Sequence, residues 1–399
     1  MPKPIAIEEP GSQDSAHPAR FALWALGFRP FYLVASVFAA LSIPLWVAQY
    51  AGWISVPHFR GATVHGHEML FGYTLAVISG FLFTAGRTWT GQPTPTGGLL
   101  IAFVALWVAG RVLVYTPWQT AAAAVNAAFP LAVAGAFAAP LAKSRNRRNY
   151  FFVPLLLGFA AAAVALHLSY RGVLAWPELL SLRAGLDLVL FIIAVMGGRV
   201  IPMFTNNAIP GAQATRRPAV EKLALGTILV LLVVDLVQAP PPLIAAVALA
   251  AALAHAVRLG LWRSWRAFGT PLVWVLHAAY GWIVVHLVLR AFAALDIVAE
   301  PLAVHALTIG AIGGMTIGMI TRTARGHTGR PLVADRFEIA CFVLIQAAAL
   351  IRVVGGGFVP IAYQAAVVAS GICWSIAFTV YAVRYWPILS RPRIDGKPG

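Results

Sequence analysis

Twelve times along its 399 residues this chain runs for about 20 residues with hardly a charged side chain, and that repetition leaves few folds open. A bilayer core of about 30 Å is crossed by about 20 residues of helix, and inside lipid the backbone must satisfy its own hydrogen bonds. The runs cover approximately 30–50, 66–86, 98–116, 119–141, 150–170, 180–202, 221–238, 241–260, 271–292, 301–321, 336–354 and 359–384. Short connections separate them, several carrying helix breakers such as "GQPTPTGG", "APPP" and "VVGGGFVP". With 60% hydrophobic and only 11% charged residues, and a mean hydropathy of +0.81, no stretch is polar enough for a separate soluble domain. The expected fold is therefore an all-α membrane protein of about twelve transmembrane helices. Its parts are a tail at 1–29, a single twelve-span domain at 30–386 and a tail at 387–399.

The polar first residues, "MPKPIAIEEPGSQDSAHPAR", lack the basic start and short apolar core of a cleaved signal and read as a cytoplasmic tail. Cys341 and Cys373 lie in apolar runs, with no spacing that suggests a metal site or a disulfide framework. The net charge of +16 would raise nucleic acid as a partner, but the basic residues are read as loop charges. With both termini inside, 23 of the 29 Lys and Arg residues fall on the inner side and six on the outer. The lipid bilayer is the expected partner and nucleic acid is not. Even-numbered helices then run from the outer face inwards.

A shift of 238 residues sets "HEMLFGYTLAVISGFLFTAGRTWTGQP" on "HALTIGAIGGMTIGMITRTARGHTGRP" without a gap. Seven of 27 positions agree, among them His67 with His305, Gly72 with Gly310 and Gly80 with Gly318, where composition alone gives about two. Helices 2 and 10 are thus candidate members of a parallel repeat, and both run in the same direction.

Chemistry concentrates in "TVHGHEMLFGY" at 63–73, with two histidines and a carboxylate at the head of a span. Imidazole is the commonest metal ligand, and an ionisable group inside a membrane is a functional lead. Residues two apart point about 200° apart on a helix, so His65 and His67 share one ion only if His65 belongs to the entering loop. Otherwise they serve two centres. Glu68, three residues beyond His65, is a candidate to orient that ring, or a first-turn carboxylate favoured by the helix dipole. The metal candidates are His65, Glu68 and His167. His67 and His305 stand at matching repeat positions and similar depth, and are the candidate axial ligands of one haem. His58 and His286 also fall on the outer side, and His17, His255, His277 and His327 on the inner. The alternative for each single histidine is a hydrogen bond to a neighbouring helix. His255, His277, His286 and Asp235 receive no role. Arg183 and Asp187 are spaced for an i, i+4 ion pair. Gly310, Gly314 and Gly318 form a small-residue stripe that suits helix packing or a flat macrocycle. No P-loop, dinucleotide fingerprint, nucleophile elbow or haem-attachment motif is present.

The stretches "ALGFRPFYLVASVFAALSIPLW", "HGHEMLFGY", "GFLFTAGRTWTGQP", "MGGRVIPMFTNNA", "WVLHAAYGW" and "HALTIGAIGGMTIGMITRTARGHTGRPL" resemble the NnrS family over nearly the whole chain. Gly86, Arg87 and Thr88 depart from that family's usual approach to its Trp-Thr-Gly triplet. The resemblance implies a twelve-span protein of the bacterial inner membrane, with haem and copper as cofactors and nitric oxide or a related small molecule as partner. It implies a role in the response to nitrosative stress, and leaves open whether the chain is an enzyme. Two other classes stand beside that reading. A haem-copper-type redox enzyme acting on nitric oxide or oxygen shares haem ligands on helices 2 and 10, but this chain lacks the His-His pair and the helix 6 histidine such enzymes use. A transporter of metal, haem or anion shares the twelve-span outline.

Overall fold

The computed structural model describes residues 21–50, 52–54, 61–358 and 363–397, so His17 and His58 lie outside the described residues. It is all-helical there, with no strand among the described residues. Twelve long helices follow the apolar runs. They are α1 (Phe28–Tyr50), α2 (Ala62–Thr90), α3 (Gly97–Val114), α4 (Gln119–Ser144), α5 (Phe152–Tyr170) and α6 (Glu178–Ala208). The others are α7 (Pro218–Leu236), α8 (Pro241–Leu261), α9 (Pro271–Ala294), α10 (Glu300–His327), α11 (Arg336–Gly355) and α12 (Tyr363–Ser390). Eleven are long and apolar enough to cross a membrane. The remaining helix, α7, has the length but carries Glu221, Lys222 and Asp235.

Proline and glycine punctuate the chain. Pro218, Pro241, Pro271 and Pro301 sit in the first turns of their helices, where a missing N–H costs nothing. Gly91, at φ 61°, closes α2 in the left-handed conformation. Asp335 makes a full capping box, accepting from the Phe337 and Glu338 N–H groups while Glu338 accepts from the Asp335 N–H.

Each helix packs on its sequence neighbour, and α12 returns to α1, so the chain closes a ring. Arg29, fully buried in α1, ties that closure by donating to the carbonyls of Leu389 at 2.9 Å and Arg391 at 2.7 Å. Two helices lie deeper than the rest: the most apolar window of α2 is 78% buried and that of α10 72%, against 39–61% for the other nine spans. These two also share an irregularity. Each opens as a six-residue α segment, Ala62–His67 and Glu300–His305, and then widens into a π-helical stretch, Glu68–Thr74 and Ala306–Gly313. The stretches begin at Glu68 and Ala306, the same 238 positions apart as the matched sequences. Such widened turns occur mostly at functional sites.

The glycine stripe of α10 serves packing. A Cβ on Gly310 would stand 2.3 Å from the Trp282 ring, one on Gly314 2.9 Å from Ala279, and one on Gly318 2.8 Å from Leu276. All three belong to α9, which fills the space along the stripe itself.

The basic residues are not all loop charges, which corrects the sequence reading. Arg29, Arg111, Arg258, Arg290 and Arg352 are buried side chains of helices. The expected Arg183–Asp187 pair does not form either. Asp187 is buried and receives both arms of Arg290 from α9, at 2.5 and 3.0 Å, while Arg183 pairs with Glu300. Arg290 also binds Asp235, which gives that aspartate its role: one guanidinium joins α6, α7 and α9. Inside a membrane a charge needs such partners, and Arg290 meets Asp187 with both arms while Arg183 is engaged by Glu300.

Candidate functional site

The widened turn of α2 sets the site. His67, the last residue before it, and His167 of α5 are both fully buried, and their Nε2 atoms approach to 3.2 Å. His67 Nδ1 lies 2.8 Å from Glu68 Oε1, and the same oxygen accepts from Arg111 Nη1 of α3 at 2.6 Å. The other arm of Arg111 reaches Asn126 Oδ1 on α4, and Asn126 in turn donates to Ala122 O at 2.8 Å. Four helices thus meet at one imidazole. A His67 proton on Nδ1, donated to Glu68 Oε1, makes His67 Nε2 the acceptor of the contact with His167 and His167 Nε2 its donor. Glu68 Oε2 is buried without a hydrogen-bond partner.

Glu68 therefore steadies His67 rather than His65, because Arg111 draws its carboxylate to the neighbouring ring. His65 lies against Trp46 of α1, ring centres 4.6 Å apart. It stands, with Arg352 of α11, within electrostatic range of His305 on α10. His305 Nδ1 donates to Pro301 O at 2.6 Å, which leaves Nε2 for another partner. Of the four imidazoles at this end of the bundle, His67 and His167 are in contact, while His65 and His305 stand only within electrostatic range of each other. Placing His67 and His305 on one group requires the His67–His167 contact to open.

The other histidines divide as well. His255 is satisfied on both nitrogens, by Tyr280 Oη at 2.7 Å and Ala224 O at 3.1 Å, a helix-linking role. His277 Nε2 donates to Thr205 Oγ1 at 2.9 Å, since that hydroxyl spends its own proton on Ile201 O. His286 Nδ1 donates to Ala303 O at 2.8 Å. Both keep a buried ring nitrogen without a partner, Nδ1 of His277 and Nε2 of His286.

Arg111 and Asn126 were missed in the sequence, although an arginine deep inside an apolar run, "LLIAFVALWVAGRVLV", is itself the signal of an intramembrane polar site. Among the described residues, no three His, Cys, Asp or Glu side chains gather closely enough to hold a metal ion by themselves. The donor set at His67 and His167 still fits a metal bound by two imidazoles: two bonds of about 2.0–2.1 Å would part the nitrogens by only about 1 Å. The carboxylate on the far nitrogen of His67 is the usual brace of a metal-binding histidine.

A twelve-helix bundle with a histidine site sunk between its spans defines a multi-pass membrane protein whose polar chemistry is shielded from water. The profile of the NnrS protein family matches residues 22–393, nearly the whole chain, and the chain belongs to that family. Among curated proteins none matches it.

Proposed function

We propose that this chain is a haem- and copper-binding protein of the bacterial inner membrane that takes part in the response to, or resistance against, nitric oxide and nitrosative stress. Family membership supports the cofactors and the stress role. The buried His67–His167 contact carries the site assignment. Copper goes to His67 and His167, since imidazole suits it and both rings are buried. Haem iron goes to the partly exposed His65 and His305, which exchanges His65 and His67 between the two centres expected from the sequence.

Copper, when bound, supplies a one-electron centre. The protein's own part is to hold two imidazole nitrogens close together in a dry setting, brace His67 Nδ1 with Glu68, and balance that carboxylate with Arg111. An uncharged diatomic would reach this end from the lipid. A groove of about 690 Å³ between α1, α3 and α12, lined by Val34, Phe38 and Trp107 among others, ends at Arg111.

The test is iron and copper content per chain, with a visible spectrum, in detergent-purified protein. His167→Ala should lose copper and keep the haem bands, and His305→Ala the reverse. Full copper in His167→Ala sinks the assignment. Cells lacking the chain should grow more slowly under nitric oxide but normally in air, and equal growth in both would remove the stress role.

A further inference from the structure

The helices α1–α4 and α9–α12 are built alike around the widened turns of α2 and α10, and α11 adds a third such stretch, Ile351–Gly355, that contains Arg352. In the first set, His67 precedes the turn, Gly72 within it receives Phe38 of α1, and a Cβ there would stand 2.8 Å from that ring. In the second, His305 precedes the turn and Gly310 receives Trp282 of α9. The third helix of each set sends an arginine to the same level, Arg111 from α3 and Arg352 from α11. One arm of each is held by a polar side chain near the start of the fourth helix, Arg111 by Asn126 and Arg352 by Tyr363 Oη at 2.9 Å.

One part is missing from the second set. Beside Arg111 the residue after the histidine is Glu68, whose carboxylate takes the free arm of the guanidinium. The residue after His305 is Ala306, fully buried, with no charge to offer. Arg352 is only 5% exposed, and its Nη1 has no hydrogen-bond partner. Among the described residues no carboxylate forms an ion pair with it: His65 and His305 lie within electrostatic range, and Glu300, the acid of α10, is engaged by Arg183. The Trp46 indole that covers His65 also keeps its Nε1–H buried and unpartnered. A buried guanidinium with a free arm and no paired carboxylate is costly to fold, and a bound anion would offset that cost.

We propose that Arg352, beside His65 and His305, binds a small planar oxyanion that takes the place the Glu68 carboxylate holds in the first set. The anion is a free monovalent ion of carboxylate or nitrate shape, or the carboxylate arm of an organic group seated beside the histidines. Planar oxygens match the guanidinium fork, whereas a halide engages it less well. The site does not use His67 or His167, so copper content reports separately on the function proposed above.

Calorimetric titration of sodium formate and sodium nitrate into detergent-purified protein stripped of bound groups tests the free-ion source, with sodium chloride for comparison. Formate or nitrate should bind more tightly than chloride, and Arg352→Gln should weaken binding at least tenfold while Arg352→Lys loses less. Ala306→Glu, which restores the missing carboxylate, should abolish binding. For the second source, mass spectrometry and visible absorption of unstripped protein should show an organic group retained by the parent chain and lost from Arg352→Gln. Elution as a single species and unchanged helical circular dichroism show that each variant is folded. Oxyanion binding that survives Arg352→Gln overturns the site. So does the absence of both free-ion binding and an Arg352-dependent organic group in folded protein.

Discussion

Glu68 Oε1 serves two donors at once, the His67 ring and the Arg111 guanidinium, inside a bundle that excludes water. Glu68→Gln keeps the shape but strands the arginine charge, and breaking one side of a buried pair costs about 3–5 kcal/mol. The variant should therefore unfold at clearly lower temperature in detergent. Adding Arg111→Met should recover much of the loss, since replacing both partners by apolar groups is far gentler than removing one. Losses that simply add would show that the pair is not coupled. At this scale the sequence was partly legible. "HGHE" stood out because two imidazoles and a carboxylate at the head of a span have few bland explanations. Their partners did not, because His167 is 100 positions from His67 and Arg111 is 43 from Glu68, and no local pattern encodes such contacts. Asp235 was opaque for the same reason, its guanidinium lying 55 positions away on α9.

Helix limits were the most legible feature, because lipid demands a continuous apolar run of fixed length, and the twelve runs fall within several residues of the twelve helices. The π-helical turns were not legible. One extra residue in a turn leaves no mark on composition, although it rotates everything beyond it relative to His67 or His305. The stripe in α10 gives this scale its prediction. Gly310→Ala places a methyl 2.3 Å from the Trp282 ring, and overpacking of that kind costs about 1–3 kcal/mol. Gly326→Ala in the same helix meets only Leu332, at 3.8 Å, and should be neutral or stabilising by up to about 1 kcal/mol. Thermal unfolding of the two variants side by side decides the matter. Equal stability would mean that α9 and α10 are not packed through this stripe.

For the whole molecule, the buried arginines sharpen the orientation inferred from charge. Setting aside the buried arginines, Arg111, Arg290 and Arg352 of the six on the outer side and Arg29 and Arg258 of the 23 on the inner, leaves three against 21, a greater contrast than the bare count. Reporter fusions at Gly399 should be active only in the cytoplasm, and activity outside the cell would reverse the bundle. The ring order of the helices could not be read from the sequence, since periodicity says which segments are buried and nothing about which end meets which. Its closure has a temporal side. Arg29 is made well before the carbonyls it binds, which belong to Leu389 and Arg391, about 360 residues later. At a synthesis rate of about 5–20 residues per second, that is a delay of about 20–70 s. Throughout it the opening helix is already in place while its closing neighbour does not yet exist. The side chain that ends fully enclosed has to wait for α12, the helix that shuts it in.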